Sequence, residues 1–108
     1  MSRKITQEAV NAFMNATKYN KGNTTVRVLD NVTILELHGN PIAYRYNDPS
    51  YTLSVTNCGY FTNTTKERLN GIPRVCVYQK KGKWYLNDKE WSGKLADITG
   101  NGFKYVNK

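Results

Sequence analysis

Few residues in this chain have side chains suited to a metal centre or a nucleophilic site. His38 is the single histidine, and Cys58 and Cys76 are the only cysteines, in 108 residues. A tetrahedral zinc site built on these three needs a fourth ligand, and the chain has neither C-x₂-C nor H-x₃-H spacing. A Cys58–His38 pair would need a third group to orient the imidazole, and none is indicated. His38 precedes Gly39-Asn40 and reads as a turn residue. The 8 carboxylates are scattered, and neither a Walker A nor a G-x-G-x-x-G pattern is present. The sequence therefore predicts no catalytic centre, no metal and no cofactor.

Basic and aromatic residues make the stronger pattern. The formal net charge is +8. Residues 55–108 hold 10 basic and 4 acidic groups, a net of +6, against +2 for residues 1–54. Between Arg74 and Lys83 come Lys80 and Lys81 and no acid, with Tyr78 among them and Trp84 and Tyr85 directly after. Lys66, Arg68 and Lys89 lie nearby in sequence. Cations neutralise phosphates and aromatic rings stack on bases, so this mixture suits a nucleic-acid surface. The expected contact set is Lys66, Arg68, Arg74, Tyr78, Lys80, Lys81, Lys83 and Trp84. In a hairpin Trp84 and Tyr85 face opposite sides, so one of them is expected at the surface.

These residues must be carried by a small fold. At 39% apolar and 22% charged residues, the chain reads as a single small globular domain over 1–108. No apolar run approaches membrane-spanning length, and "MSRKITQEAVNAF" lacks the apolar core of a signal peptide. A cytosolic protein with reduced thiols is expected. The sequons at Asn15, Asn23, Asn31 and Asn63 then carry no glycosylation meaning.

Ile5, Ala9, Val10, Phe13 and Met14 recur at helical spacing, and Gly22 is expected to close that helix. Alternating segments follow. "TTVRVLD" and "VTILELH" flank a turn at Asp30-Asn31, "GNP" at Gly39–Pro41 makes a second turn, and "NDPS" at Asn47–Ser50 a third. "IAYRY" and "YTLSVTN" complete four strands of a meander. Ile42, Tyr44 and Tyr46 are expected on one face, with Arg45 on the other. Thr64-Thr65-Lys66-Glu67 fits a capping box, giving a short helix with Leu69 and Ile72 inward and Gly71 at its end. "RVCVYQ" and "WYLND" form a C-terminal hairpin. Whether residues 100–108 form an ordered or a flexible tail is left open by the sequence. The fold class predicted is α+β: an N-terminal helix, an antiparallel meander of about four strands, a short helix and a C-terminal β-hairpin. Edge strands offer a route to a homodimer.

"LELHGNPIAYRYND", "LSVTNCGYFTNTTKERLNG" and "VYQKKGKWYLNDKEWSG" together resemble small accessory proteins of tailed bacteriophages with unassigned function. The resemblance spans roughly residues 1–98. Leu-His-Gly-Asn, Thr-Thr-Lys-x-Arg-Leu-Asn and Trp-Tyr-Leu-Asn-x-x-x-Trp, in that order, carry it. The stretch before the short helix is commonly Asn-Ala-Gly-Trp in that family, and here it is Asn57-Cys58-Gly59-Tyr60. The departure argues against Cys58 as a required nucleophile. The resemblance implies the host cytoplasm and transfers no catalytic residue. Two functions fit the residues: binding of nucleic acid with little sequence specificity, or docking on an acidic host protein such as a nuclease, polymerase or defence component.

Overall fold

The computed structural model describes residues 2–47, 52–60, 62–99 and 102–106. Helix α1 (Ser2–Met14) is followed by five strands: β1 (Tyr19–Lys21), β2 (Thr24–Val28), β3 (Val32–Leu37), β4 (Asn40–Tyr46) and β5 (Leu53–Val55). Helix α2 (Asn63–Asn70) leads into β6 (Val77–Lys80), β7 (Lys83–Leu86) and β8 (Lys89–Glu90). The chain then forms β9 (Ala96–Thr99) and β10 (Gly102–Tyr105). The strands make a seven-stranded antiparallel sheet, ordered β1-β2-β3-β4-β5-β9-β10, and a separate three-stranded sheet, β6-β7-β8. The α+β class and the order of its parts agree with the sequence reading, but the main sheet has more than four strands. Residues 102–105, in the tail whose order the sequence left open, form an edge strand paired to β9 in register Phe103↔Ile98. β9 in turn pairs with β5 through Val55↔Ala96. Helix α2 and the small sheet are therefore an insertion between neighbouring strands of one meander.

Helix α1 buries Ala9, Val10 and Phe13 against Val26 and Leu35 of the sheet. It ends earlier than Gly22. Ala16 adopts φ +52, and the Thr17 N–H donates back to the Ala12 carbonyl at 2.8 Å. That is a Schellman-type stop built on Ala instead of Gly. Gly22 sits in the β1–β2 turn, at φ +60.

The β3–β4 connection is tighter than "GNP" suggested. Leu37 pairs with Asn40, so the loop is His38-Gly39, at φ +55 and +80. Both values belong to a type I′ hairpin turn, which matches strand twist. Pro41 is therefore inside β4, where a register shift at Leu35/Glu36 leaves Ile42 as the extra residue of a bulge. The bulge sends Ile42 into the core and Tyr44 and Tyr46 to the opposite face, correcting their expected alignment. Asp48–Ser50 of the third expected turn, and Tyr51, lie outside the described residues.

Helix α2 is capped by Thr62, two residues before the expected cap. The Thr62 hydroxyl accepts from the Thr65 N–H at 3.2 Å. Gly71 has φ −75, so left-handed geometry does not explain it. A Cβ there would stand 2.6 Å from Thr6 Cγ2 and 3.0 Å from Val10 Cγ2. Glycine lets the end of α2 lie directly on α1.

Candidate nucleic-acid interface

The basic and aromatic residues are sorted by the register of the small sheet. Val77 faces Leu86, Tyr78 faces Tyr85, Gln79 faces Trp84 and Lys80 faces Lys83. Lys81 and Gly82 make the connecting turn at φ +53 and +80. Side chains alternate across a strand, so Val77, Gln79, Trp84 and Leu86 share one face and Tyr78, Lys80, Lys83 and Tyr85 the other. The first face packs inward: Val77, Trp84 and Leu86 join the core, with Trp84 only 4% exposed. The second faces outward, with Lys80 and Lys83 exposed and both tyrosines half-buried.

Two expected contact residues are corrected here. Trp84 cannot offer a ring to a base, because its ring lies in the core at 6.4 Å from that of Trp91. Arg68 is 2% exposed and holds the fold together. Its Nε donates to Thr24 Oγ1 at 2.9 Å, its Nη1 to Thr6 Oγ1 at 2.7 Å and its Nη2 to Asn23 Oδ1 at 3.3 Å. Glu67 lies 3.6 Å from Nη1. The guanidinium thus ties α2 to α1 and to the start of β2.

The remaining residues divide by position. Lys66 is on the inner side, its Nζ 5.4 Å from the Trp84 ring centroid and donating to Gln79 Oε1 at 3.2 Å. Arg74 is exposed at φ +72, at the opposite end of the β6–β7 pair from the Lys81-Gly82 turn. Its carbonyl there accepts from Asn87 Nδ2 at 3.1 Å. Tyr78, Lys80, Lys81 and Lys83 come together on the outer face and tip. Tyr85, absent from the expected set, completes that surface. Its ring stacks on Tyr78 at 5.2 Å between centroids with planes 9° apart.

Electrostatics on the outer face are mixed. Tyr78 Oη donates to Asp88 Oδ1 at 3.2 Å. Burial first, and this bond second, push the Tyr78 phenol above its usual range, so it stays neutral at physiological pH. Lys83 Nζ and Glu90 Oε2 stand 3.9 Å apart with both side chains well exposed, a pairing that water and salt screen. Lys80 and Lys81 have no described acid partner.

Elsewhere, the main sheet carries a polar and aromatic face opposite the core. Arg27 donates to the largely buried Glu36 at 3.2 Å, and Tyr44 and Tyr46 stack at 6.2 Å. Burial is the chief cause of a raised Tyr44 phenol. His38 and both cysteines are exposed, and no group of three His, Cys, Asp or Glu residues that could hold a metal forms among the described residues. No helix among the described residues is long and apolar enough to cross a membrane.

The fold and this hairpin define a small basic α+β protein with a lysine- and tyrosine-bearing insertion. The chain belongs to the Kyanoviridae Gp96 protein family, which matches residues 2–104. This is a phage family of unassigned function, so the chain is a tailed-phage protein. No curated protein and no solved structure matches it.

Proposed function

We propose that this phage protein acts in the host cytoplasm by binding nucleic acid, without catalysis, on the outer face and tip of the β6–β7 hairpin. The observation that supports this most is the stacked Tyr78–Tyr85 pair bordered by Lys80, Lys81 and Lys83 on a single exposed surface. A base stacks on the open side of the tyrosine pair, and the lysines take the flanking phosphates. No side chain there is fixed to read base edges, so little sequence preference is expected. Unstacked single strands expose their bases and fit better than duplex.

Fluorescence anisotropy with single- and double-stranded oligonucleotides at two salt concentrations tests it. Three neutralised phosphates on a single strand give a log–log salt slope of about −2. Removing the ring in Tyr85→Ala costs about 1–3 kcal/mol of binding. Absence of binding at low salt sinks the proposal.

A second reading rests on Asp88, bonded to Tyr78, and Glu90, 3.9 Å from Lys83, which put acids on this surface. A mixed-charge surface suits docking on a host protein of complementary pattern. A host protein recovered on the wild-type chain from nuclease-treated lysate, and lost with Lys80/Lys81/Lys83→Ala, favours it; equal recovery on both removes it.

A further inference from the structure

Strand β1 is shorter than the strand it covers. It pairs with β2 only from Tyr19↔Val26 to Lys21↔Thr24, while β2 runs on to Val28. The chain leaves the strand line before Tyr19, because the Thr17 N–H turns back to the Ala12 carbonyl and closes α1. A notch of about 440 Å³ lies there, bordered by Lys18, Tyr19, Arg27, Val28 and Leu29.

The hydrogen-bond phase of β2 fixes which backbone groups face this notch. Along an inner strand, successive residues bond alternately to one neighbour and to the other. The Leu29 N–H donates to the Val32 carbonyl at 2.9 Å, and the His38 N–H donates to the Asn23 carbonyl at 2.7 Å. Odd-numbered residues of this segment therefore bond toward β3, and Thr24, Val26 and Val28 turn their amides and carbonyls toward β1. Lys21 and Tyr19 meet the first two. Val28 has no backbone partner on that side among the described residues. The side chains around it are apolar or cationic. Leu29 is 44% exposed and borders the notch. Lys18 and Arg27 are exposed, and no carboxylate is among the residues lining the notch. Glu36 takes one Arg27 donor at 3.2 Å, and the arginine side chain is still 55% exposed.

We infer that this notch captures the C-terminal end of a partner protein as an added strand. The main sheet is antiparallel, so the added strand runs antiparallel to β2, along the line of β1 and in its direction. Its C-terminal end then stops against Lys18, where β1 begins. The last residue lies opposite Val28: its N–H donates to the Val28 carbonyl, and its terminal carboxylate accepts from the Val28 N–H. That places the carboxylate beside Lys18 and Arg27, which supply charge-assisted bonds. The penultimate residue lies opposite Leu29, in the close cross-strand position where an apolar side chain packs best. The partner is thus a protein with an apolar penultimate residue and a free C-terminus. This surface belongs to the main sheet and is separate from the hairpin.

Amide NMR titration of the full chain with the peptide acetyl-Ser-Gly-Ser-Thr-Ile-Thr, bearing a free carboxylate, tests this. Shift changes are expected at residues 18 and 27–29. The C-terminally amidated peptide is expected to bind at least about tenfold more weakly, having lost its charge-assisted bonds. A version with serine in place of isoleucine is expected to bind several-fold more weakly. Val28→Pro removes the donor at an edge position where proline is tolerated, so the fold is kept while the peptide affinity falls at least about fivefold. Lys18→Glu, at an exposed side chain, decides the matter if Val28→Pro does not fold: it weakens the free-acid peptide and narrows its advantage over the amide. Lys80/Lys81/Lys83→Ala leaves peptide affinity unchanged, which separates this site from the hairpin. The inference is overturned if the free-acid peptide does not bind at millimolar concentration, or if the amidated peptide binds as well. It is also overturned if Lys18→Glu binds both peptides like the wild type, or if a single-stranded oligonucleotide displaces the peptide from residues 27–29.

Discussion

Arg68 gives the sharpest quantitative expectation, because a cation in a basic protein was expected at the surface and is found in the interior. Its three nitrogens donate to Thr24, Thr6 and Asn23 at 2.9, 2.7 and 3.3 Å. Thr24 and Thr6 are themselves buried. Arg68→Ala removes all three bonds and opens a void where the side chain lay. The Thr24 hydroxyl keeps its bond to Asn23 Oδ1 at 2.8 Å, but the Thr6 hydroxyl is left without that donor. An abandoned buried polar group costs about 1–3 kcal/mol, and truncating a large buried side chain to Ala about 2–5 kcal/mol with the void it leaves. At about 4–8 °C per kcal/mol for a domain of this size, the melting temperature falls by on the order of 15 °C or more. Arg68→Lys keeps the charge but replaces a planar fork with one ammonium, and falls between wild type and Arg68→Ala. Thermal and urea denaturation followed by circular dichroism read the effect. A melting temperature for Arg68→Ala within about 2 °C of wild type would refute the structural role. Nucleic-acid affinity, measured well below the transition, is expected to change little.

Other positions give independent checks. Gly93 has φ +93, and a Cβ there would lie 2.4 Å from both Asn57 side-chain amide atoms. Gly93→Ala is therefore expected to destabilise by about 2–4 kcal/mol, read as a lower urea midpoint. The Tyr19 hydroxyl donates to Glu8 at 2.8 Å and is the main cause holding that carboxyl below its usual range. A depressed acid contributes stability above its unfolded pKa and loses it as pH falls through the folded value, so this contribution disappears in the acid range. Tyr19→Phe moves the Glu8 titration up toward an ordinary carboxylate, observable by NMR of the side-chain carbon. Trp84 and Trp91, at 4% and 2% exposure, give blue-shifted fluorescence resistant to acrylamide quenching; emission typical of hydrated indole would contradict the inward placement of Trp84.

What the sequence shows plainly is what local chemistry decides. The turns at Asp30-Asn31 and Lys81-Gly82 follow from residues that tolerate tight or left-handed geometry, and strand alternation sets most burial. Leu69 and Ile72 were legible as core from the α2 period alone. That same period contained the Arg68 answer: Thr65, Arg68, Leu69 and Ile72 fall at i, i+3, i+4 and i+7, one helical stripe. The charge of Arg68 obscured it. The hairpin likewise held the Trp84 answer, since Leu86 lies two residues on and the two share a face. Pairing over long separations was not legible. β9 joins β5 across an insertion of about forty residues, and short-range patterns carry no signal for that. Nor does a local rule reveal that Gly71 is needed for contact with Thr6 and Val10, or that Ala16 takes the left-handed stop usually given to glycine. The close packing of Asn57 on Gly93 is hidden for the same reason.

The claim that the hairpin's outer face binds nucleic acid is tested most directly by backbone amide NMR during titration with a short single-stranded oligonucleotide at low salt. Shift changes are expected to concentrate in residues 78–85, to fade as salt is raised and to be abolished by Lys80/Lys81/Lys83→Ala. Changes centred instead on Arg27, Tyr44 and Tyr46 of the main sheet, or no changes at low salt, would contradict it.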